Sequence, residues 1–329
     1  MKHLSILVPA VQNNIISIAA AHEIFCTANA CYKEAGKKEI FIIQLVGASK
    51  QVQFNGGLFT AQPHVHISAI SKTDLVIIPS VSSHSYDVAV EENALLINWI
   101  RDQYNKGAEI ASLCTGAFIL ASSGLLDGKI CSTHWAAADT FRSMYPNVNL
   151  QTDKLITDEN GIYTNGGAYS FLNLVMYLVE KYYDRETAVF CSKIYQIEID
   201  RQRQSAFIIF QAQKLHGDEL IQQVQEYIES KLHEKLFIDD LSSRFAVGRR
   251  HFDRRFLKAT GNTPSEYLKR VKIEAAKKAL ETSTKTVNEV MREVGYTDEK
   301  AFREVFRKIT GMTPKEYRDR YNKNRPQLY

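Results

Sequence analysis

The chain has 329 residues, 45% hydrophobic and 24% charged, with 41 Lys+Arg against 37 Asp+Glu and a formal net charge of +4. That composition is ordinary for a soluble globular protein, and the length admits two or three domains. No apolar run approaches the roughly 18 to 20 residues needed to span a bilayer, and Met1-Lys2-His3 enters a short strand rather than a signal peptide, so a cytoplasmic chain with no membrane partner is expected. Five cysteines (Cys26, Cys31, Cys114, Cys131 and Cys191) are odd in number and contain no Cys-x-x-Cys pair, which argues against a disulfide framework and against a zinc site. Neither a metal nor a cofactor is expected.

The first half alternates strand and helix. Leu4 to Val8 predicts a strand, Ser17 to Tyr32 a helix and Ile40 to Val46 a second strand, with a Gly56-Gly57 turn between short extended runs after it. Leu75 to Ile78 follows as a third strand, Glu91 to Gln103 as a helix and Glu109 to Leu113 as a fourth strand. Short continuous apolar strands separated by helices predict a parallel sheet covered on both faces, a doubly wound α/β domain.

One turn of this domain is suited to chemistry. Ile110-Ala111-Ser112-Leu113-Cys114-Thr115-Gly116-Ala117 passes from strand to helix at Cys114, with Gly116 permitting a sharp bend like a nucleophile elbow. A thiol at a helix N-terminus is favoured as thiolate, so an exposed, partly ionised Cys114 is expected. His134, in Thr133-His134-Trp135, is its candidate partner. Two readings stay open here: a Cys-His nucleophile, or a small buried cysteine beside a capped histidine. Asn165-Gly166-Gly167 precedes a predicted helix from Ala168 to about Tyr182. Its amides either face the cleft and hold an anion or make a plain strand-to-helix turn.

Cys114-Thr115-Gly116-Ala117, Gly124-Leu125-Leu126-Asp127-Gly128, Thr133-His134-Trp135 and Thr164-Asn165-Gly166-Gly167 resemble the PfpI/ThiJ superfamily over about residues 1 to 190. The resemblance is greatest to the amidase-like domains fused to DNA-binding regulators, and it implies a flavodoxin-like fold with Cys114 at the elbow. Hydrolases of that superfamily place His directly after the Cys, where this chain has Thr115. Many supply a Glu from the first helix, where this chain has Ser17, and a Gly-Gly pair across the cleft, where it has Ser80-Val81. Base, acid and oxyanion donors are therefore missing, and Cys114, Thr115, His134, Gly166 and Gly167 are expected to bind a ligand rather than to catalyse.

Arg185 to Tyr195 predicts another helix and Ile197 to Lys214 a polar connector, giving a domain over 1–195, a linker over 196–217 and a second domain over 218–329. The second domain is written twice. Phe256-Leu257-Lys258-Ala259-Thr260-Gly261-Asn262-Thr263-Pro264-Ser265-Glu266-Tyr267 returns as Phe306-Arg307-Lys308-Ile309-Thr310-Gly311-Met312-Thr313-Pro314-Lys315-Glu316-Tyr317. Each copy reads as helix, turn and helix. In the first, Asp239 or Asp240 caps a helix through Phe245 and Gly248 marks the turn; in the second, Gly295 makes the turn. Phe252 and Phe256, and again Phe302 and Phe306, fall on inward faces, leaving Arg250, Asp253 and Arg254, and Glu299, Lys300, Arg303 and Glu304, facing outward. Gly261 and Gly311 stop these helices, and Pro264 and Pro314 start the next. This is an all-α domain with two helix-turn-helix units.

Charge is divided the same way. Residues 218–329 hold 24 Lys+Arg against 18 Asp+Glu, a net of +6, whereas the first 217 residues hold 17 against 19, a net of −2. From Val247 onward the balance is 21 to 11. Such asymmetry suits a phosphate backbone. Residues 218 to about 321 resemble the AraC/XylS DNA-binding domain, with Pro264 to Thr282 as its linker helix. That resemblance implies base-facing roles for Arg250, Asp253 and Arg254 in the first unit and for Glu299, Lys300 and Arg303 in the second, while Arg249 is within reach of phosphate. Ser242 and Met291 replace a usual Ala, Lys272 a usual Arg and Glu304 a common Arg, so the second unit is expected to grip DNA less strongly. The sequence thus predicts a regulator that binds double-stranded DNA and a small-molecule effector, and admits a homodimer through its first domain. The alternative is a cysteine-dependent amidohydrolase tethered to DNA.

Overall fold

The computed structural model describes residues 1–10, 14–81, 85–199, 203–210, 214 and 216–322. The chain divides into two compact units, Met1–Gln204 and Ser205–Tyr329. The stretch expected as a connector therefore contributes residues to both.

The first unit runs β1 (Lys2–Leu7), α1 (Ile15–Glu34), β2 (Phe41–Gly47), β3 (Val52–Phe54), β4 (Phe59–Ala61), β5 (Val65–His66), β6 (Leu75–Ile78), α2 (Tyr86–Glu92), α3 (Ala94–Asn105) and β7 (Glu109–Ser112). It continues with α4 (Ala117–Ser122), β8 (Ile130–Cys131), α5 (Ala138–Met144), β9 (Asn149–Leu150), β10 (Ile156–Glu159), β11 (Ile162–Asn165), α6 (Phe171–Tyr182) and α7 (Arg185–Tyr195). A seven-stranded sheet has the order β10-β11-β7-β6-β1-β2-β5. Every neighbouring pair is parallel except β10 with β11. Alternation along the strands makes two cores, one on each face. Leu4, Ile6, Leu75 and Ile77 pack under α1, α6 and α7, while Leu7, Val76, Ile78 and Ile110 pack under α2 to α5. This is the expected doubly wound sheet, and its antiparallel β10–β11 edge was not signalled by the apolar runs.

Three expectations need correction. The helix predicted over 91–103 is two helices, because Asn93 is buried between them, donating to the Ala89 carbonyl (2.8 Å) and accepting the Ala10 N–H (2.8 Å). The helix predicted from Ala168 starts at Phe171, since the chain is still turning at Gly167, whose φ is 88°. Finally, α1 is long and apolar enough, by length and composition alone, to cross a membrane; its Ile18, Ala21, Ile24, Phe25 and Ala28 are buried in the core against the sheet.

The second unit contains α8 (Glu219–Ser230), α9 (Ile238–Arg244), α10 (Arg249–Thr260), α11 (Pro264–Thr282), α12 (Val287–Glu293), α13 (Glu299–Thr310) and α14 (Pro314–Tyr321). Gly261 and Gly311 end α10 and α13 in the left-handed conformation, and Thr263 and Thr313 open the next helices with capping boxes to Glu266 and Glu316. Phe256 meets Tyr267 edge-on at 5.2 Å, and Phe306 meets Tyr317 at 5.5 Å, so each repeat closes on the same aromatic pair.

The turns differ from expectation. Asp239 and Asp240 lie inside the first turn of α9, whose N-cap is Phe237 without a side-chain bond. Gly248 precedes α10 with φ −59°, and the residue that reverses the chain is Ala246, at φ 52°. From Ile238 to Val287 the repeat is shifted by 49 residues and from Arg249 to Glu299 by 50, so the second turn is one residue longer, with Gly295 at φ 71° in the place of Ala246. A left-handed alanine costs about 1 to 2 kcal/mol, whereas glycine adopts that conformation freely but adds unfolded-state entropy. Ala246→Gly is therefore expected to stabilise the second unit by up to about 1 kcal/mol, read as a rise in its denaturation midpoint; a fall would show that no strain is stored there.

Candidate ligand cleft and nucleic-acid interface

The elbow after β7 is shaped by two residues. Gly116 has no room for a side chain: a Cβ would lie 2.6 Å from the Pro79 carbonyl oxygen and 2.8 Å from that of Ile78. Cys114 itself sits at φ 55°, its N–H donating to Asn165 Oδ1 (2.8 Å) and its carbonyl accepting from Thr133 Oγ1 (3.0 Å). The strained φ matches the expected elbow, but the exposed, ionised thiol does not follow. Cys114 is only 4% exposed. Burial pushes its pKa up, outweighing the opposing effect of the neighbouring Ser80 and Thr115.

The polar groups around the thiol are occupied by one another. Ser17 Oγ donates to the Asn14 carbonyl (2.7 Å) and accepts the Ser80 N–H (3.1 Å). Ser80 Oγ pairs with Thr115 Oγ1 (2.8 Å), which donates to the Val81 carbonyl (2.5 Å). His134 is half-buried, which lowers its pKa, and its Nδ1 accepts the Ala136 N–H (3.1 Å). Among the described residues it makes no hydrogen bond to the thiol; the structure brings Thr133, its neighbour, to Cys114. Gly166 lies against Ser132 Oγ and the side chain of Gln204. No group of three or more His, Cys, Asp and Glu among the described residues could hold a metal ion.

In the second unit α10 exposes Arg250 and Arg254, and no ion-pair partner is found for either among the described residues. Arg249 is engaged, pairing with Asp239 and, at 3.0 Å, with Asp253. Asp253, placed on the base-reading face by sequence, is thus the partner of Arg249. In α13 Glu299 and Arg303 pair at 2.5 Å, while Lys300 and Glu304 are exposed. Ser242 and Met291 are both buried.

The DJ-1/PfpI family profile matches residues 23–181 and a helix-turn-helix domain profile matches residues 241–320. The chain joins a DJ-1/PfpI-family domain to an AraC-type helix-turn-helix domain. It is 25% identical over 223 residues to the HTH-type transcriptional regulator GbdR of Pseudomonas aeruginosa, across 68% of this chain and 60% of that protein. The chain therefore spans less than two thirds of that relative's length. A putative transcriptional regulator from Vibrio parahaemolyticus matches with a TM-score of 0.52 and 25% identity, over 59% of this chain and 98% of that one. A ThiJ/PfpI family protein from Pseudomonas syringae, 17% identical with a TM-score of 0.50 over 61% of this chain and 76% of its own, shares the fold.

Sequence reasoning missed Gln204, buried against the Gly166-Gly167 turn of the DJ-1/PfpI-family domain, because a glutamine in a polar run carries no sign of burial. It marks Lys272 of the helix-turn-helix domain as a departure from a usual Arg but gives no sign of what the side chain does there. That side chain is buried with its pKa lowered, and it donates to the carbonyls of Glu234 (2.8 Å) and Gly295 (3.4 Å). The buried thiol has a measurable consequence. With the thiol pKa raised, protonated Cys114 dominates at pH 7 to 8, so iodoacetamide should alkylate it at least about tenfold more slowly in the native chain than in guanidinium. Equal rates by mass spectrometry would mean an exposed thiolate.

Proposed function

We propose that the chain is a transcription regulator whose second unit binds double-stranded DNA through α10 and α13 and whose first unit binds a small-molecule effector without catalysis. The observation that carries the first part is the duplicated helix-turn-helix, with Arg250 and Arg254 exposed and unpaired among the described residues on one face of α10. One helical turn apart, either is placed for a bidentate contact to guanine, and Lys300 and Arg303 supply the second helix. GbdR, named as a transcriptional regulator, supports the reading. Against catalysis stand the buried, protonated thiol and the mutual engagement of Ser17, Ser80 and Thr115; lacking a positioned base forfeits typically 10²- to 10⁴-fold in rate. Cys114, Thr115, His134, Gly166 and Gly167 are the ligand-facing residues of this reading. Pairing of two copies through the first unit is supported by the exposed apolar Phe190 and Ile194 of α7, and a cytoplasmic location follows from the need to meet DNA.

Binding-site selection followed by anisotropy titration tests the DNA reading. Arg254→Ala is expected to cost about 1 to 3 kcal/mol and relax preference at one base position; an unchanged site and affinity would remove Arg254 from the readout. For the cleft, Cys114→Ala is expected to leave DNA affinity without effector intact. Amide hydrolysis by the wild-type chain that vanishes in Cys114→Ala would overturn the effector reading.

A further inference from the structure

The segment leaving the first unit is held by its backbone at two points. The Asn173 amide donates to the Glu198 carbonyl (2.5 Å), and Arg203 bridges Lys154 in antiparallel fashion, a bridge in which the Gln204 N–H donates to the Asp153 carbonyl (3.2 Å). Beyond these, the Gln204 side chain is wholly buried. Its Nε2 donates to the carbonyls of Thr133 (3.0 Å) and Lys154 (3.4 Å) and reaches Ser132 Oγ (3.5 Å). Carbonyls only accept, so the nitrogen end of the amide must face them. The oxygen end has no hydrogen-bond partner among the described residues.

This amide rests on the Gly166-Gly167 turn. A Cβ at Gly166 would lie 1.9 Å from Nε2 and 2.6 Å from Cδ of Gln204, and one at Gly167 would lie 3.6 Å from Oε1. Gly166 does not have a left-handed backbone, unlike Gly167 at φ 88°. What position 166 requires of glycine is space, and the carboxamide fills that space. Thr133, whose carbonyl receives the amide, also donates its hydroxyl to the Cys114 carbonyl, so the subsite adjoins the elbow.

We propose that Gln204 is an internal occupant of a subsite for a carboxamide group, and that a small molecule bearing a primary carboxamide displaces it and frees the segment that continues into the second unit. The proposal rests on the effector-binding reading of the first unit and names its ligand class. A ring of acceptors selects NH2 and repels carboxylate. Tethering gives Gln204 a high effective concentration, so an external ligand wins only through contacts the side chain lacks, beginning with a partner for the oxygen that Gln204 leaves unpaired.

The test uses the full chain, with propionamide, the Gln side chain cut free, as probe and propionate as control, both well above the millimolar range that tethering sets. Tryptic cleavage after Arg203 reports release of the segment. Gln204→Ala and Gln204→Glu are expected to be cut at least about tenfold faster than wild type, since cleavage follows the population of the open form. Propionamide should speed cleavage of the wild type and leave Gln204→Ala unchanged, while raising the melting temperature of Gln204→Ala more than that of wild type, because the vacated subsite binds without competition. Propionate should do neither. Wild-type cleavage rates in both variants would overturn the latch; fast cleavage with no propionamide-dependent stabilisation of Gln204→Ala would overturn the subsite. Should Gln204→Ala fail to fold by circular dichroism, Gln204→Glu, nearly identical in shape, carries the cleavage test, and propionamide-dependent cleavage of wild type carries the subsite test. If latch and subsite both stand while neither variant nor propionamide alters DNA binding, the effector reading falls and the latch survives it.

Discussion

The side chain of Asn165 holds together the end of the sheet that carries the Cys114 elbow. Fully buried, it accepts the Cys114 N–H on one side and donates to the Gly166 carbonyl (3.1 Å) on the other. A left-handed non-glycine residue is an uphill conformation, maintained only where its surroundings over-determine it. Here the fixed acceptor on β11 is part of that determination, and the missing Cβ of Gly116, pressed against the carbonyls of Ile78 and Pro79 at the end of β6, is the rest. The elbow, the Thr133 turn and the Gly166 turn are therefore parts of one hydrogen-bonded assembly whose geometry follows from the parallel pairing of β7 with β11.

The second unit relies on a different device, repetition around a shared helix. Each helix-turn-helix buries its own aromatic cluster, Phe252, Phe256 and Tyr267 in one and Phe302, Phe306 and Tyr317 in the other. The two clusters are contributed to by successive parts of α11, with Val271 in the first and Ile273, Ala276 and Leu280 in the second. Lys272 sits at the junction and binds carbonyls belonging to the loop before α9 and to the turn after α12. An ammonium group taken from water is costly unless hydrogen-bonded, and these carbonyls offset that cost. Arginine in its place would be a larger, planar donor, and Gly295 has room for neither a Cβ nor a wider head group, since its Cβ would already lie 2.6 Å from Lys272 Nζ.

Much of this was legible in the sequence because the physics was local. Strands buried on both faces read as apolar runs, and Gly261, Gly311, Pro264 and Pro314 punctuate helices wherever they occur. What resisted reading depends on tertiary neighbours. Gln204 is buried because a glycine far away in sequence leaves it a berth. Asp253 has the right spacing to face outward with Arg250, and sequence cannot say that Arg249, one turn back, claims its carboxylate first. The Cys114 thiol shows the same limit: an elbow at a helix N-terminus argues for ionisation, but burial, visible only in three dimensions, acts more strongly in the opposite direction.

The two intrahelical pairs, Arg249 with Asp253 and Glu299 with Arg303, bear on ionic strength. A carboxylate held four residues from an arginine is a counterion that the protein carries with it. In the proposed DNA complex an arginine of such a pair that moved to a backbone phosphate would still displace a cation condensed on the DNA, but it would leave its aspartate or glutamate unpaired, so its net gain would be smaller than that of an arginine without an ion-pair partner among the described residues, such as Arg250. In that reading the released carboxylate would be an acceptor for which the amino group of cytosine is a usable donor and phosphate oxygen is not. On the proposed function, each pair would weaken indiscriminate attraction to nucleic acid while keeping ready a group that responds to sequence.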